Sequence, residues 1–186
     1  MSEQLSLKEY RKAPKKYYQK VNFFKRIAAT VGGVKPAEIL MIGECEYQEL
    51  YPKYFRDNQS TPMVTIKQCC AKRQVLIYHR ECLSKILNRK CTQLFLVSRG
   101  YPKDAAVECY IDHLVRRLRG RSFPHEIGVF LGYPLKDVFG YMGLTSLPHT
   151  KTKGWCMYGD TSESEKLHTE YRCARQRMCE KLCMVN

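Results

Sequence analysis

Residues 123–143 read FPHEIGVFLGYPLKDVFGYMG, a stretch that carries its own punctuation. Pro124 can open a short helix and Gly132 can close it, while Pro134 can open a second that ends near Gly143. The spacing predicts two short helices around Gly132-Tyr133-Pro134. Gly128 and Gly132 stand where helices cross closely and where the turn needs a positive φ. Ile127, Phe130, Leu131, Val138 and Phe139 supply apolar groups on both arms, so the segment reads first as a packed corner.

The phrase EIGVFLGYPLKDV also has the rhythm of a helix-turn-helix, E-I-A-x-x-L-G-x-P before a recognition helix. A recognition helix presents Arg, Lys, Asn, Gln, Ser or Thr to base edges. LKDVFGYMG instead offers one lysine, a tyrosine and a glycine that weakens a helix by roughly 1 kcal/mol. It also places Asp137 where a phosphate would lie, and Phe139 and Met142 prefer a core. Nucleic-acid binding through residues 124–143 and the basic helices is therefore the alternative reading. Whether Lys136 and Tyr141 are exposed beside a basic surface or buried separates the two.

Charge keeps that alternative open. The formal net charge is +14, concentrated in residues 8–26, in RRLRGR at 116–121 and in YRCARQR at 171–177. Such a field suits an acidic partner or weak, non-specific nucleic acid. Hydrophobic residues make up 44% and charged residues 27% of the 186, which fits one folded domain. No stretch approaches the roughly 20 apolar residues of a membrane span, and the polar start has no apolar signal core. A cytoplasmic protein with no membrane partner is expected.

The ten cysteines are then expected as free thiols. None form a C-x-x-C pair, so no metal site is expected from them. Cys69 and Cys70 are neighbours that on a strand would face opposite ways. Cys179 and Cys183 sit at i,i+4 on the last helix near Arg172 and Arg175, as surface thiols or as a pair able to meet a metal or partner.

Elsewhere, apolar period assigns the elements. Tyr18, Val21, Phe24, Ala28 and Val31 make a helix stripe from Pro14, ended by Gly32-Gly33. EILMIG (38–43) reads as a strand, with a buried helical turn as the alternative, and YQELYPKYFRDNQSTP as an irregular connection with Pro52 interrupting any helix. VTIKQ and QVLIYH read as a hairpin that turns at AKR. RECLSKILNRK reads as a helix, whereas CTQLFLVSRGYP reads as either a strand, from its apolar run, or a helix, which its Leu94, Phe95, Ser98 spacing and closing Gly100 favour. Residues 103–119 form the clearest helix, with Val107, Ile111, Leu114 and Leu118 in line, Asp104 near its start and Gly120 at its stop. GWCMYG is a short strand. A Ser162-x-x-Glu165 capping box opens the last helix, 163–182, whose stripe is Leu167, Tyr171, Ala174, Met178 and Leu182. The sum is an α+β fold, a small, mainly antiparallel sheet surrounded by several helices. It forms a single domain over 14–186 after a basic lead-in at 1–13.

FPHEIGVFLGYPLKDVFGYM resembles the hallmark segment F-P-H-E-I-G-x-F-L-G-Y-P-x-x-D-V of a bacterial domain-of-unknown-function family, number 3793. TVGGVKPAEIL (30–40) is similar to that family's P-T-L-A-G-x-K, and GWCMYGD (154–160) to its W-K-V-Y. Tyr171-Arg172-Cys173 is similar to its closing Y-x-x-C or Y-x-C. These matches run in order over residues 22–175. Two departures stand out. Arg26-Ile27-Ala28-Ala29 occupies the place of His-Cys-Ala-Pro, which removes a cysteine nucleophile, and Cys156 replaces the W-K-V-Y lysine. The resemblance brings no activity or cofactor with it.

Six residues make up the candidate binding surface: His125, Glu126, Tyr133, Asp137, Lys35 and Trp155. His125 and Glu126 are adjacent, about 100° apart on a helix, and do not readily clamp one metal. Glu126 suits a capping role at a helix start. Tyr133 and Trp155 are core or pocket-lining aromatics. Lys35 follows the Gly32-Gly33 turn and could meet an anion, although GGVK lacks phosphate-loop spacing. No catalytic residue is assigned. The favoured reading is a non-catalytic binding or accessory domain with its surface or pocket at the PHEIG–FLGYP corner. An enzyme using His125 and a thiol ranks last.

Overall fold

The computed structural model describes residues 15–184. Helix α1 (Lys15–Val31) leads into strand β1 (Ala37–Gly43), helix α2 (Glu44–Leu50) and a π-helical turn (Tyr51–Phe55). Strands β2 (Met63–Cys69) and β3 (Lys72–Tyr78) form the hairpin. Helices α3 (Arg80–Leu87), α4 (Lys90–Ser98) and α5 (Val107–Arg119) follow. The corner is α6 (Ile127–Phe130) and α7 (Leu135–Tyr141). A second hairpin, β4 (His149–Lys153) and β5 (Trp155–Tyr158), precedes the long helix α8 (Ser162–Met184).

The main sheet runs β1-β3-β2, antiparallel throughout, with Leu76 of the central strand opposite both Ile39 and Val64. Strand alternation sorts its side chains into two cores. Val75 and Ile77 join Leu40, Ile42 and Met63 against Phe23 and Ile27 of α1, with Leu50 and Phe55 closing that side. Leu76 and Tyr78 join Ala37 and Ile66 against α3, α4, α5 and the corner. The central strand is thus buried on both faces, and the sheet separates two helical layers. Helix α8 packs along α1.

Several expectations change. The buried face of α1 is Phe23, Ile27, Ala28, Ala29 and Thr30; of the expected stripe Ala28 is buried, Val21 and Phe24 are half-buried and Val31 is exposed. Pro52 does not interrupt a helix. It sits in the first turn of the π-helical segment, where the α-helical bonding of α2 gives way to the wider π pattern. Helix α5 starts at Val107, because Ala106 is extended and Asp104 adopts φ +50° in the preceding loop. Strand β4, HTKTK, was not expected; its polar residues are mostly exposed. The start of α8 is held by Asp160, which accepts from the Ser162 N–H at 3.0 Å, and by Thr161, whose hydroxyl donates to Glu165 at 2.7 Å. The expected Ser162–Glu165 capping box does not form: the Ser162 hydroxyl donates to Asp160 at 2.7 Å, and the Glu165 carboxylate is held by the Thr161 hydroxyl and Lys151.

Cys70 lies outside β2, and its sulfur is 3.8 Å from that of Cys69, so the two thiols do not oppose each other. The loop is Cys70-Ala71, since Lys72 and Arg73 already belong to β3. The eight cysteines that can be described are all free. The side chains of Tyr18, Cys179, Leu182 and Cys183, the lead-in at 1–13 and Pro14 lie outside the described residues.

Candidate functional site

The corner is built by close approach. A Cβ on Gly128 would come within 2.9 Å of Val138, and one on Gly140 would collide with the Tyr158 ring. Gly132 turns the chain at φ +80°, packed under Pro36 and the Tyr171 hydroxyl. That hydroxyl donates to the Gly132 carbonyl at 2.9 Å, which fastens α8 to the turn. The turn closes with the Tyr133 N–H on the Gly128 carbonyl at 2.8 Å. Ile127, Phe130 and Val138 are buried, with Leu131 and Phe139 packed against them.

Asp137 fixes the corner to the rest of the molecule. Its Oδ2 accepts from Trp155 Nε1 at 2.8 Å and Ser164 Oγ at 2.6 Å, and its Oδ1 from the Tyr158 N–H at 2.9 Å and Lys136 Nζ at 2.8 Å. Burial pushes the carboxyl pKa up, but these four donors outweigh it and hold the pKa below its ordinary value. With about four acceptor sites on a carboxylate, none is left for a substrate proton. Asp137 is therefore buried and saturated, not facing solvent or phosphate as the sequence suggested. Lys136 is committed as well, donating to the Tyr158 carbonyl and Ser164 Oγ at 3.0 Å each. Tyr141 remains exposed.

Around this network lies a cavity of about 410 Å³ between the corner and the β4–β5 hairpin. The Tyr133 and Trp155 rings stack at 4.6 Å, 16° from parallel. Burial raises the Tyr133 phenol to about 12, with the nearby Glu38 charge adding to the effect. Across the mouth, exposed His125 lies between Phe123 and Tyr141, at ring distances of 5.6 and 5.2 Å. Ile127, Leu131 and Val138 complete an apolar wall, and Thr152 and Cys156 add the remaining polar groups.

Four of the six expected residues thus meet here: His125, Tyr133, Asp137 and Trp155. Glu126 and Lys35 do not. Glu126 makes no cap bond; it is buried, accepting from Arg117 Nε at 2.5 Å and from the Tyr101 hydroxyl at 3.1 Å. Burial, reinforced by the Glu126 charge, pushes the Tyr101 phenol far up. Lys35 is buried and paired with Glu38 at 2.6 Å, so its charge is already answered. The walls Phe123 and Tyr141 were missed, although aromatic residues flanking the motif were a readable signal. Ser164 and Arg117 gave none.

A second cleft, about 580 Å³, opens on the other side of Tyr133 between α3, α4 and α8. It mixes Lys85, Arg89 and Lys166 with Glu163 and Glu170, and includes Cys82, whose thiol burial pushes up. Among the described residues no group of three or more His, Cys, Asp or Glu is placed to hold a metal. No helix among them is long and apolar enough to cross a membrane.

Fold and site together define a small α+β domain with an aromatic cavity at a Gly-Tyr-Pro helical corner. The chain matches the model of the DUF3793 family, described as a protein of unknown function, over residues 23–186, and it belongs to that family. Comparison with curated proteins and with solved structures gives no match.

Proposed function

We propose that the protein is a non-catalytic binding or accessory domain, and that the aromatic cavity at the corner takes a flat, apolar small molecule or side chain. The observation that carries this reading is the Tyr133–Trp155 stack, which forms one wall of an otherwise apolar cavity. A cavity of about 410 Å³ lies within the usual size range of small-molecule sites. Catalysis by acid–base chemistry is disfavoured because Asp137, the one carboxylate on the cavity, has every acceptor position occupied. His125 packs between the Phe123 and Tyr141 rings, and among the described residues it makes no ion pair with a carboxylate that would orient it. Ten cysteines, with every described one free, suit a reducing compartment, and we place the protein in the cytoplasm.

The nucleic-acid reading is weakened at the same residues. Helix α7 would be the reading helix, yet Asp137 and Val138 are buried, Lys136 is tied inward and Tyr141 is its exposed side chain. Ligand-observed NMR with a panel of small planar aromatics and size-matched aliphatics tests the proposal. The aromatics are expected to bind, and Cys156→Phe, which fills the cavity from β5, is expected to abolish that binding. No aromatic binding, or binding unchanged by Cys156→Phe, would overturn it.

A further inference from the structure

The tip of the β2–β3 hairpin carries two thiols that neither core nor corner uses. Cys69 ends β2 opposite Lys72, and the loop between them is Cys70-Ala71. A continued strand would point the two side chains to opposite faces. Instead Cys70 adopts φ +51°, an uncommon conformation for a residue with a Cβ, and the sulfurs come to 3.8 Å. Both residues are exposed. The loop is anchored: the Ala71 carbonyl accepts the Glu44 N–H at 2.8 Å. The Glu44 carboxylate also holds Arg73 of β3 through Nη2 at 2.7 Å and Nε at 3.1 Å.

We propose that Cys69 and Cys70 form a chelating dithiol site for one trivalent, thiophilic metalloid centre, of which arsenic(III) is the type. Two converging thiols are soft ligands that select soft acceptors. Their geometry favours a bridge over a direct disulfide. Neighbouring Cα atoms across a trans peptide are about 3.8 Å apart, short of the roughly 4.4 Å at which disulfide-linked Cα separations begin. A direct S–S bond also has to draw the sulfurs in to about 2.05 Å. A larger atom bonded to both sulfurs leaves the turn close to its present shape. With arsenous acid, two As–S bonds form and two As–O bonds break, and the thiol protons leave in two molecules of water. Arsenic stays trivalent, sulfur is not oxidised, and no further reactant is required.

The full-length reduced chain, treated with equimolar arsenite, tests this by intact mass and peptide mapping. One arsenic is expected on the peptide that holds both cysteines, retained in excess monothiol and released by a dithiol. Cys69→Ser and Cys70→Ser are each expected to weaken uptake there at least tenfold, and Cys45→Ser, an exposed thiol elsewhere, to leave it unchanged. Cys70→Gly suits the positive φ, so loss of uptake in that variant reports chemistry and not misfolding. Arsenic mapping to other cysteines would overturn the proposal. So would wild-type uptake by Cys70→Gly, or a Cys69–Cys70 disulfide forming in place of the adduct.

Discussion

Asp137 Oδ2 accepts a 2.8 Å hydrogen bond from the indole nitrogen of Trp155, which ties the second helix of the corner to the β4–β5 hairpin. The same oxygen accepts from Ser164, so one buried carboxylate joins α7, β5 and α8. That joint holds the Trp155 ring parallel to Tyr133 and gives the cavity its shape.

Replacing Asp137 by Asn leaves one acceptor oxygen and turns an NH₂ group toward donors. We expect a loss of about 2–4 kcal/mol, the range for breaking a buried, charge-assisted network. The shift in urea midpoint measures it. A loss under about 1 kcal/mol would mean that the network does not hold the corner.

The same group sets a pH window. The folded pKa of Asp137 lies below its ordinary value of 3.8, because the four donors more than reverse the effect of burial. A depressed carboxyl contributes stability that is fully present above the unfolded pKa and is lost as pH falls through the folded one. Denaturation midpoints should therefore drop below about pH 4. Asp137→Asn should show less of that drop.

Glu126 is buried beneath an Arg117 whose side chain is 39% exposed. Arg117→Ala strands the charge and should cost about 2–3 kcal/mol, below the fully buried range because solvent reaches the arginine. Tyr101→Phe removes one donor to the same oxygen and should cost about 1 kcal/mol. Arg117→Met combined with Glu126→Leu should recover most of the loss, as read from denaturant midpoints.

Two positive-φ glycines separate strain from contact. Gly143 has φ +67° with open space around it, whereas Gly132 has φ +80° and lies under Pro36 and the Tyr171 hydroxyl. Gly143→Ala should cost about 1 kcal/mol. Gly132→Ala should cost about 3 kcal/mol or more, since backbone strain and a clash add. Similar midpoints for the two variants would contradict the packed corner.

The corner was legible because Gly and Pro mark its turn whatever surrounds it, and strands β1, β2, β3 and β5 were legible because short runs rich in β-branched, aromatic or other apolar residues need no distant partner to be recognised. The outward-facing parts were not. HTKTK carries no apolar alternation, and it forms β4 because it pairs with β5 across Gly154. Asp137 looked like a solvent-facing charge because its partners Trp155, Tyr158 and Ser164 lie 18 to 27 residues away. Glu126 was read as a local cap for the same reason: Tyr101 and Arg117 are non-local, and only the fold brings them to it. The hairpin turn was legible only to within a residue or two, because a single left-handed residue, Cys70, sets it ahead of the expected AKR.

A charge of +14 should still give weak nucleic-acid binding that fades with salt and ignores sequence. Selection from a mixed DNA library at about 150 mM salt is expected to enrich no motif. Enrichment of a discrete motif that Tyr141→Ala weakens, without unfolding the chain, would promote the nucleic-acid reading.

The ligand site is tested most directly through Trp155, the chain's single tryptophan, whose indole N–H gives one resonance in a ¹H–¹⁵N correlation spectrum. That proton is bonded to Asp137, and the ring lines the cavity. Titration with an aromatic compound that binds should shift this resonance, together with the Gly154 and Tyr141 amides, to saturation, and Cys156→Phe should suppress the shift. A saturable interaction that leaves the Trp155 indole unmoved and shifts amides of the basic 116–121 or 171–177 segments would contradict the account.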